Sequence, residues 1–432
     1  MMPDDENTPI LWGSPQETGA AFDFRSESNP PFPLSPPFYA SPRKTLILVF
    51  ILFPITRILI CLAREREIER KSTNLSLPGD VITTPSLTML TAISQTTLSD
   101  DVYAEDATTT AFETSLARTC GHAAAAFVLT GTMANQLALR TLLTQPPHAV
   151  LADASAHIIH WEAGGVAHLS GAMIQGIRPR NGLYLTLEDI EKHAVVTDDV
   201  HKCPTRVVSI ENTSSGVVVP LAELQRIREW TRERGIGVHM DGARLWEAVS
   251  AGAGTLEEFG RCCDVLTLDF SKNLAAPMGA MVLGSSELIK RLRRIRKSIG
   301  GGMRQAGVLA AAARQAVLEN FGLGNRDSRG VLGRSRAMAA EVGRMWVSRG
   351  GVLLKPVETN MVWLDLRGCG VGLERWNEAG RRRGIKLDGK RVVLHHQVGE
   401  SAMRALGDVM DEVLGRVRGA SDGVGGLPKA RL

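Results

Sequence analysis

From about Ser72 onward, apolar runs of strand length alternate with longer stretches of helical periodicity. Ala124–Leu129 precedes Met133–Leu143, Thr205–Ile210 precedes Leu221–Gly235, and Gly237–Met240 precedes Arg244–Ala251. A period of two marks a strand, and a period near 3.6 marks a helix. Their alternation predicts βαβ units, hence an α/β fold with a mainly parallel sheet covered by helices. Two more apolar runs, Val265–Phe270 and Ala280–Leu283, flank a small-residue turn and read as buried strands. Ser286–Lys297 reads as an arginine-rich helix with a solvated face, and about 308–348 as a long helix. Beyond it, Gly351–Leu354, Met361–Leu366 and Arg391–His396 are strand-like, with helices at Leu373–Arg383 and Ser401–Val417. The expected organisation is a large domain over 72–320, a smaller α+β domain over 321–420 and a flexible Gly- and basic-rich tail over 421–432.

Residues 1–71 have a different texture. Pro, Ser and acidic side chains dominate 1–44, which predicts a disordered extension. Residues 46–62 are hydrophobic, near the lower length limit for a spanning helix. Pro54 and Arg57 inside that segment count against a span, because an intramembrane arginine is expensive. Three readings stay open for it: a membrane anchor, an extra buried helix, or sequence outside the working chain, such as a mispredicted start.

A chain of 432 residues can bury a large core. Its net charge of +4 is too small for its length to indicate nucleic acid or a membrane surface as partner. The six cysteines form no CxxC pair, which points to a reducing compartment and, with it, the cytoplasm. The ten histidines show no metal-ligand spacing, so no metal is expected.

Three features could carry chemistry. Lys272 lies between two buried runs, where a lone ammonium is costly without a partner or a task. A desolvated lysine amine forms Schiff bases, although a strand-end lysine can also simply reach solvent. Thr130-Gly131-Thr132 follows a strand and opens a helix, where free N–H groups and the helix dipole can cradle a phosphate. Thr130 could equally be an ordinary N-cap. Asp241 and Arg244 aim a carboxylate and a guanidinium at one spot, unless Asp241 is an N-cap and Arg244 its ion-pair partner. A phosphate cradle, a strand-end acid and then a lysine, in that order, suit pyridoxal phosphate. That cofactor needs a phosphate anchor, a carboxylate at its ring nitrogen and an amine for its aldehyde.

Further motifs stand in the same order: Asp100-Asp-Val-Tyr-Ala-Glu-Asp106, Thr130–Asn135, Ala156–Gly165, Ile210–Thr213, His239–Arg244, Ser271-Lys272, Gly300–Gln305 and Glu358–Asn360. Together they resemble the fold-type-I, pyridoxal-phosphate-dependent threonine aldolases, specifically the low-specificity L-enzymes of fungal type, over about 79–417. The resemblance implies a large cofactor domain with a mainly parallel seven-stranded sheet and a smaller C-terminal domain. It implies cleavage of threonine, allo-threonine and related β-hydroxy-α-amino acids to glycine and an aldehyde. Lys272 matches the Schiff-base lysine, Asp241 the partner of the ring nitrogen, and His157 the histidine stacked on the ring. Gly131 and Thr132 match phosphate contacts, and Arg244 and Arg391 the arginines that hold the substrate carboxylate. The 300–305 loop, with Arg304, resembles one that reaches a neighbouring subunit's cofactor site, which implies a homodimer or homotetramer. Glu162 and Tyr103 fall in motifs bordering the site. The candidate base is His157, or a water held by it and Glu162. Four departures stand out, one of them Ala104 in place of a usual glycine. Gly79 replaces a serine that contacts the carboxylate, Ser214-Ser215 replaces a histidine found in bacterial members, and Asn273 and Ala275 replace glycines. Rival readings are a β-eliminating lyase or racemase on the same scaffold, or a non-catalytic, membrane-tethered relative.

Overall fold

A computed structural model describes residues 75–323 and 330–415. The expected N-terminal extension, its hydrophobic segment 46–62 and the tail 421–432 lie outside the described residues. Among the described residues, no helix is long and apolar enough to cross a membrane.

The strands are β1 (Ala124–Val128), β2 (Ala149–Asp153), β3 (Met173–Ile177), β4 (Thr205–Glu211), β5 (Gly237–Gly242), β6 (Val265–Asp269) and β7 (Ala280–Gly284). They form one sheet in the order β1-β7-β6-β5-β4-β2-β3. Neighbours from β3 through β6 pair in parallel, while β7 runs antiparallel between β6 and β1. Alternate residues feed two different cores, as the period-two geometry of a strand demands. Phe127, Leu266, Leu268, Met281 and Leu283 join the cluster on one face. Ala126, Val128, Val265, Ala280 and Val282 join the cluster on the other. A sheet covered on both faces by helices therefore reads as nearly continuous apolar runs, which is how β6 and β7 look in the sequence.

A second, two-stranded antiparallel sheet consists of β8 (Met361–Trp363) and β9 (Arg391–Val393). Helices 332–348, 373–382 and 400–413 pack on it around Trp346 and Trp376, whose rings meet edge-on at 5.8 Å. Residues 75–84 form a strap between the two sheets. Leu77 N donates to Lys386 O at 3.0 Å, and Val393 N donates to Leu77 O at 2.9 Å. At its other end, Thr83 Oγ1 donates to the carbonyl of Lys272, and Thr84 N donates to Gln397 Oε1.

Three elements differ from expectation. The helix Ser286–Ser298 does not present its arginines only to solvent. Arg296 is 3% exposed and donates to Phe127 O at 2.6 Å and to Asp101 at 2.9 Å. Arg293 reaches Glu113, and Arg291 reaches Thr141 O. These guanidiniums are taken inward because strand carbonyls and buried carboxylates pair with them, the condition under which charge can be buried. The long helix over 308–348 is instead two helices, Gly307–Ala316 and Leu332–Ser348, with one π turn over Val317–Phe321. Gly322, at φ +79°, takes the left-handed conformation that ends a helix. Finally, Gly351–Leu354 makes a single bridge, Leu353 to Leu364, and no strand. Around that bridge Leu354 N donates to Trp363 O and Asp365 N to Val352 O, while side chains take the rest: Trp346 Nε1 also donates to Val352 O, and Val352 N donates to Cys369 Sγ.

Candidate active site

The carboxyl ends of β1, β2, β4, β5 and β6 point to one edge of the main sheet, where open α/β sheets place ligands. A cleft of about 270 Å³ opens there. Register brings Glu211, the last residue of β4, beside Asp241 of β5, and Asp241 beside Thr267 of β6.

Lys272 follows β6 by three residues and lines this cleft rather than reaching free solvent. Its Nζ donates to Asp269 Oδ2 at 2.9 Å, and its side chain is 17% exposed. Burial alone would raise the Asp269 carboxyl. The Lys272 charge and the donors of Lys272 and Ser271 outweigh that and hold it below the usual range. The lysine is thus stored as one half of a partly buried ion pair inside the cleft.

Asp241 is buried. Its Oδ1 accepts from Ala243 N at 3.0 Å, and its Oδ2 accepts from Asn135 Nδ2 at 2.7 Å. It is neither a helix N-cap nor the partner of Arg244, since the helix after it is capped at Arg244. Asn135 holds more than Asp241. The same amide nitrogen donates to Glu162 Oε1 at 2.9 Å, and its oxygen accepts from Thr267 Oγ1 at 2.8 Å. Glu162 Oε1 also meets His157 Nδ1 at 2.8 Å, while its Oε2 accepts from Gln136. A continuous chain of contacts therefore runs from His157 through Glu162 and Asn135 to Asp241. Facing a carboxylate, Nδ1 carries the imidazole proton and leaves Nε2 as the free acceptor.

The hydrogen bond to Glu162, set against partial burial, raises the His157 pKa. A base works only when neutral, so with His157 as the proposed base its raised pKa would set the acid limb of the rate profile. Glu162→Gln is expected to lower the His157 pKa, seen in an NMR titration of its ring. The acid limb of kcat/KM then moves to lower pH, and the plateau falls because the base is weaker. An unmoved ring titration contradicts the coupling.

Thr130 does cap the helix 131–142, its Oγ1 accepting from Met133 N at 3.0 Å. The cap satisfies only one of the four N–H groups that lack intrahelical acceptors. Gly131 and Thr132 line the cleft beside it. A Cβ at Gly131 would stand 2.7 Å from Asp269 Oδ2, so only glycine fits between the helix start and the lysine's partner. The residues present therefore fit pyridoxal phosphate: an anion-ready helix start, a lysine and a buried carboxylate face one cavity.

The arginines divide. Arg244 lines the cleft, but its Nε and Nη2 both donate to Asp80, at 2.8 and 2.7 Å. Burial would raise the Asp80 carboxyl; the Arg244 guanidinium overrides it and holds the acid well below the usual range. Arg391 lies outside the lining and donates to Pro78 O at 3.0 Å. Arg304 is exposed, pairs with Asp100 and lies outside the lining of its own chain's cleft. Tyr103 is 75% exposed. At Gly79 an added Cβ meets only Val81 Cγ2 at 3.8 Å, so the missing serine leaves room. The loop at Ser214 closes on itself through Val217, and Ser214 Oγ donates to Leu183 O.

Among the polar residues of the site, Asp80, Asn135, Glu211 and Asp269 carry no role in the sequence reading. Burial first, and then the Asp241 charge, push Glu211 up to about 7. A signal existed for two of them. Glu211 and Asp269 end their strands with a carboxylate, as Asp241 nearly ends its own.

Comparison with known proteins adds to this geometry. Residues 76–368 match the model of the Beta-eliminating lyase family. Alanine racemase TOXG of Cochliobolus carbonum is 52% identical over 336 residues, covering 78% of this chain and 86% of that protein. Aldolase vrtJ of Penicillium aethiopicum is 49% identical over 336 residues, covering 78% and 85%. A low-specificity L-threonine aldolase of Eremothecium gossypii is 40% identical over 329 residues, covering 76% and 84%. With a lysine, an acid and an anion-ready helix start in one cleft, and the family matched across most of the described chain, the protein belongs to the pyridoxal-phosphate-dependent Beta-eliminating lyase family.

Proposed function

We propose that this enzyme is a carbon–carbon lyase that cleaves L-threonine, L-allo-threonine and related β-hydroxy-α-amino acids to glycine and an aldehyde. The observation that carries this reading is His157, backed by Glu162, lining the same cleft as Lys272 and Asp241. Two of the relatives above bear the name aldolase.

Gly131 and Thr132 would hold the cofactor phosphate, Asp241 its ring nitrogen, His157 its ring face and Lys272 its aldehyde. Bound pyridoxal phosphate supplies the electron sink for the broken Cα–Cβ bond. Arg244 and Arg391 hold the substrate carboxylate. His157 Nε2 takes the proton of the β-hydroxyl, and the Glu162 carboxylate behind Nδ1 stabilises the resulting imidazolium. Arg304, set outside its own cleft, supports a homodimer or homotetramer with shared sites. We also place the enzyme in the cytoplasm, with 72–320 as the cofactor domain and 321–420 as the small domain.

Racemisation is the second reading, favoured by the 52% identity to a protein named as an alanine racemase. Product analysis separates the two. Purified protein with pyridoxal phosphate is expected to release glycine and acetaldehyde from threonine isomers. Conversion of L-alanine to its enantiomer without glycine release from threonine would replace the aldolase reading. A keto acid with ammonia would indicate elimination instead.

A further inference from the structure

Trp363 of β8 sits where four segments meet. Its Nε1 donates to Ser215 O at 2.8 Å, its carbonyl accepts from Leu354 N at 2.8 Å, and it pairs with Arg391 across the small sheet. Three cations approach its ring: Lys355 Nζ at 5.5 Å, Lys390 Nζ at 6.0 Å and Arg391 Cζ at 6.0 Å from the centroid. Among the described residues none of the three has a carboxylate within 4.0 Å. The acids near enough to act on them, Asp153, Glu211, Asp80 and Asp388, do so at longer range. Burial, with Lys390 adding to it, lowers the Lys355 pKa.

None of Trp363, Lys355, Lys390 and Arg391 lines the cleft itself, but the cluster lies close to it: the Lys355 charge acts on Glu211 and that of Arg391 on Arg244, both of which line the cleft. Ser215 stands two residues after Thr213, which lines the cleft. Pro78, the acceptor of Arg391, stands two residues before Asp80, which holds the cleft-lining Arg244. Three like charges around one ring repel each other, and contact with an aromatic face offsets little of that at a hydrated rim. One arginine is enough for an α-carboxylate. Lys355 and Lys390 are then left with carboxylates only at longer range.

We propose that the Trp363 rim binds a second carboxylate, carried on the β-substituent of the substrate. The preferred substrate is therefore an acidic β-hydroxy-α-amino acid rather than threonine itself. The inference rests on the aldolase reading. The apolar body of such a substituent lies on the indole while its carboxylate meets Lys355 and Lys390.

The test compares phenylserine with its para-carboxy analogue, both assayed by glycine release from the holoenzyme. Wild type is expected to favour the carboxy analogue in kcat/KM by about tenfold, with the gap narrowing as salt rises. Lys355→Gln should bring the ratio close to one, and the exposed Lys390→Gln should reduce it in part. Lys290→Gln, an exposed lysine on the helix 286–298, should keep it. Equal kcat/KM in wild type, or a preference that survives both rim variants, overturns the proposal. Failure of wild type to release glycine from either compound would instead count against the aldolase reading.

Discussion

Lys272→Ala is expected to cut turnover by about 10⁴-fold or more, because in the proposed mechanism Lys272 supplies the amine that takes the cofactor aldehyde. The protein mixed with pyridoxal phosphate should also lack the absorbance band of the wild-type Schiff base. A second consequence follows from the pairing with Asp269. The native Asp269 carboxyl sits below its ordinary range, so the pair contributes stability above the unfolded pKa, about 4, that is lost as pH falls through the native value. The variant should therefore unfold more easily than wild type at neutral pH, and the difference should shrink in acid. Full turnover with an unchanged spectrum would remove Lys272 from the chemistry.

Asp241→Asn is expected to lower kcat by roughly 10²- to 10⁴-fold, since an amide cannot stabilise a protonated ring nitrogen as a carboxylate does. Geometry sharpens the expectation. Asn135 donates into Asp241 Oδ2, and Ala243 N donates into Oδ1. An amide at 241 can offer oxygen to only one of these donors. It must turn its NH₂ group against the other or toward the ring, where a donor is the wrong partner. The neighbouring Glu211 responds too. Removing the Asp241 charge lowers the Glu211 pKa, because that charge is the second cause, after burial, of its elevation. The pH titration of the cofactor absorbance in the variant measures both effects. A variant with wild-type turnover and titration excludes Asp241 as the ring partner.

The sheet was legible because β1 and β7 carry unbroken apolar runs, β4, β5 and β6 carry nearly apolar ones, and the helices after them keep a clean period. The failures share one physical origin: side chains that reverse the usual direction of polarity. Arg296 points inward because Phe127 O and Asp101 wait there, a pairing between residues far apart in the chain that no local pattern records. Residues 351–354 look like a strand and keep two ladder bonds, to Trp363 and Asp365, yet Cys369 Sγ takes the Val352 N–H that a longer ladder would have used. In the site, Lys272, Asp241 and the Thr130–Thr132 turn were visible from residue type and order. Asn135 was not, because an amide at the start of a helix is chemically ordinary until folding brings Glu162 and Asp241 to either side of it. Asp80 was hidden for a similar reason. Its partner Arg244 looked like the natural companion of Asp241, three residues away, whereas the pair that forms spans 164 residues.

The strap over residues 75–84 sets a limit on how the protein can be cut or fused. It is held to the small sheet through Leu77 and to the lysine loop through Thr83. Between those anchors, Asp80 joins Arg244 to Asn360. Proteolysis or a domain junction ahead of residue 75 leaves these ties whole. A junction a single turn further in would remove the Leu77 and Asp80 ties together and leave the small sheet held to the main sheet by contacts such as Trp363 with Ser215 and His396 with Asn273, so a truncation series should show an abrupt step at that point rather than a gradual decline.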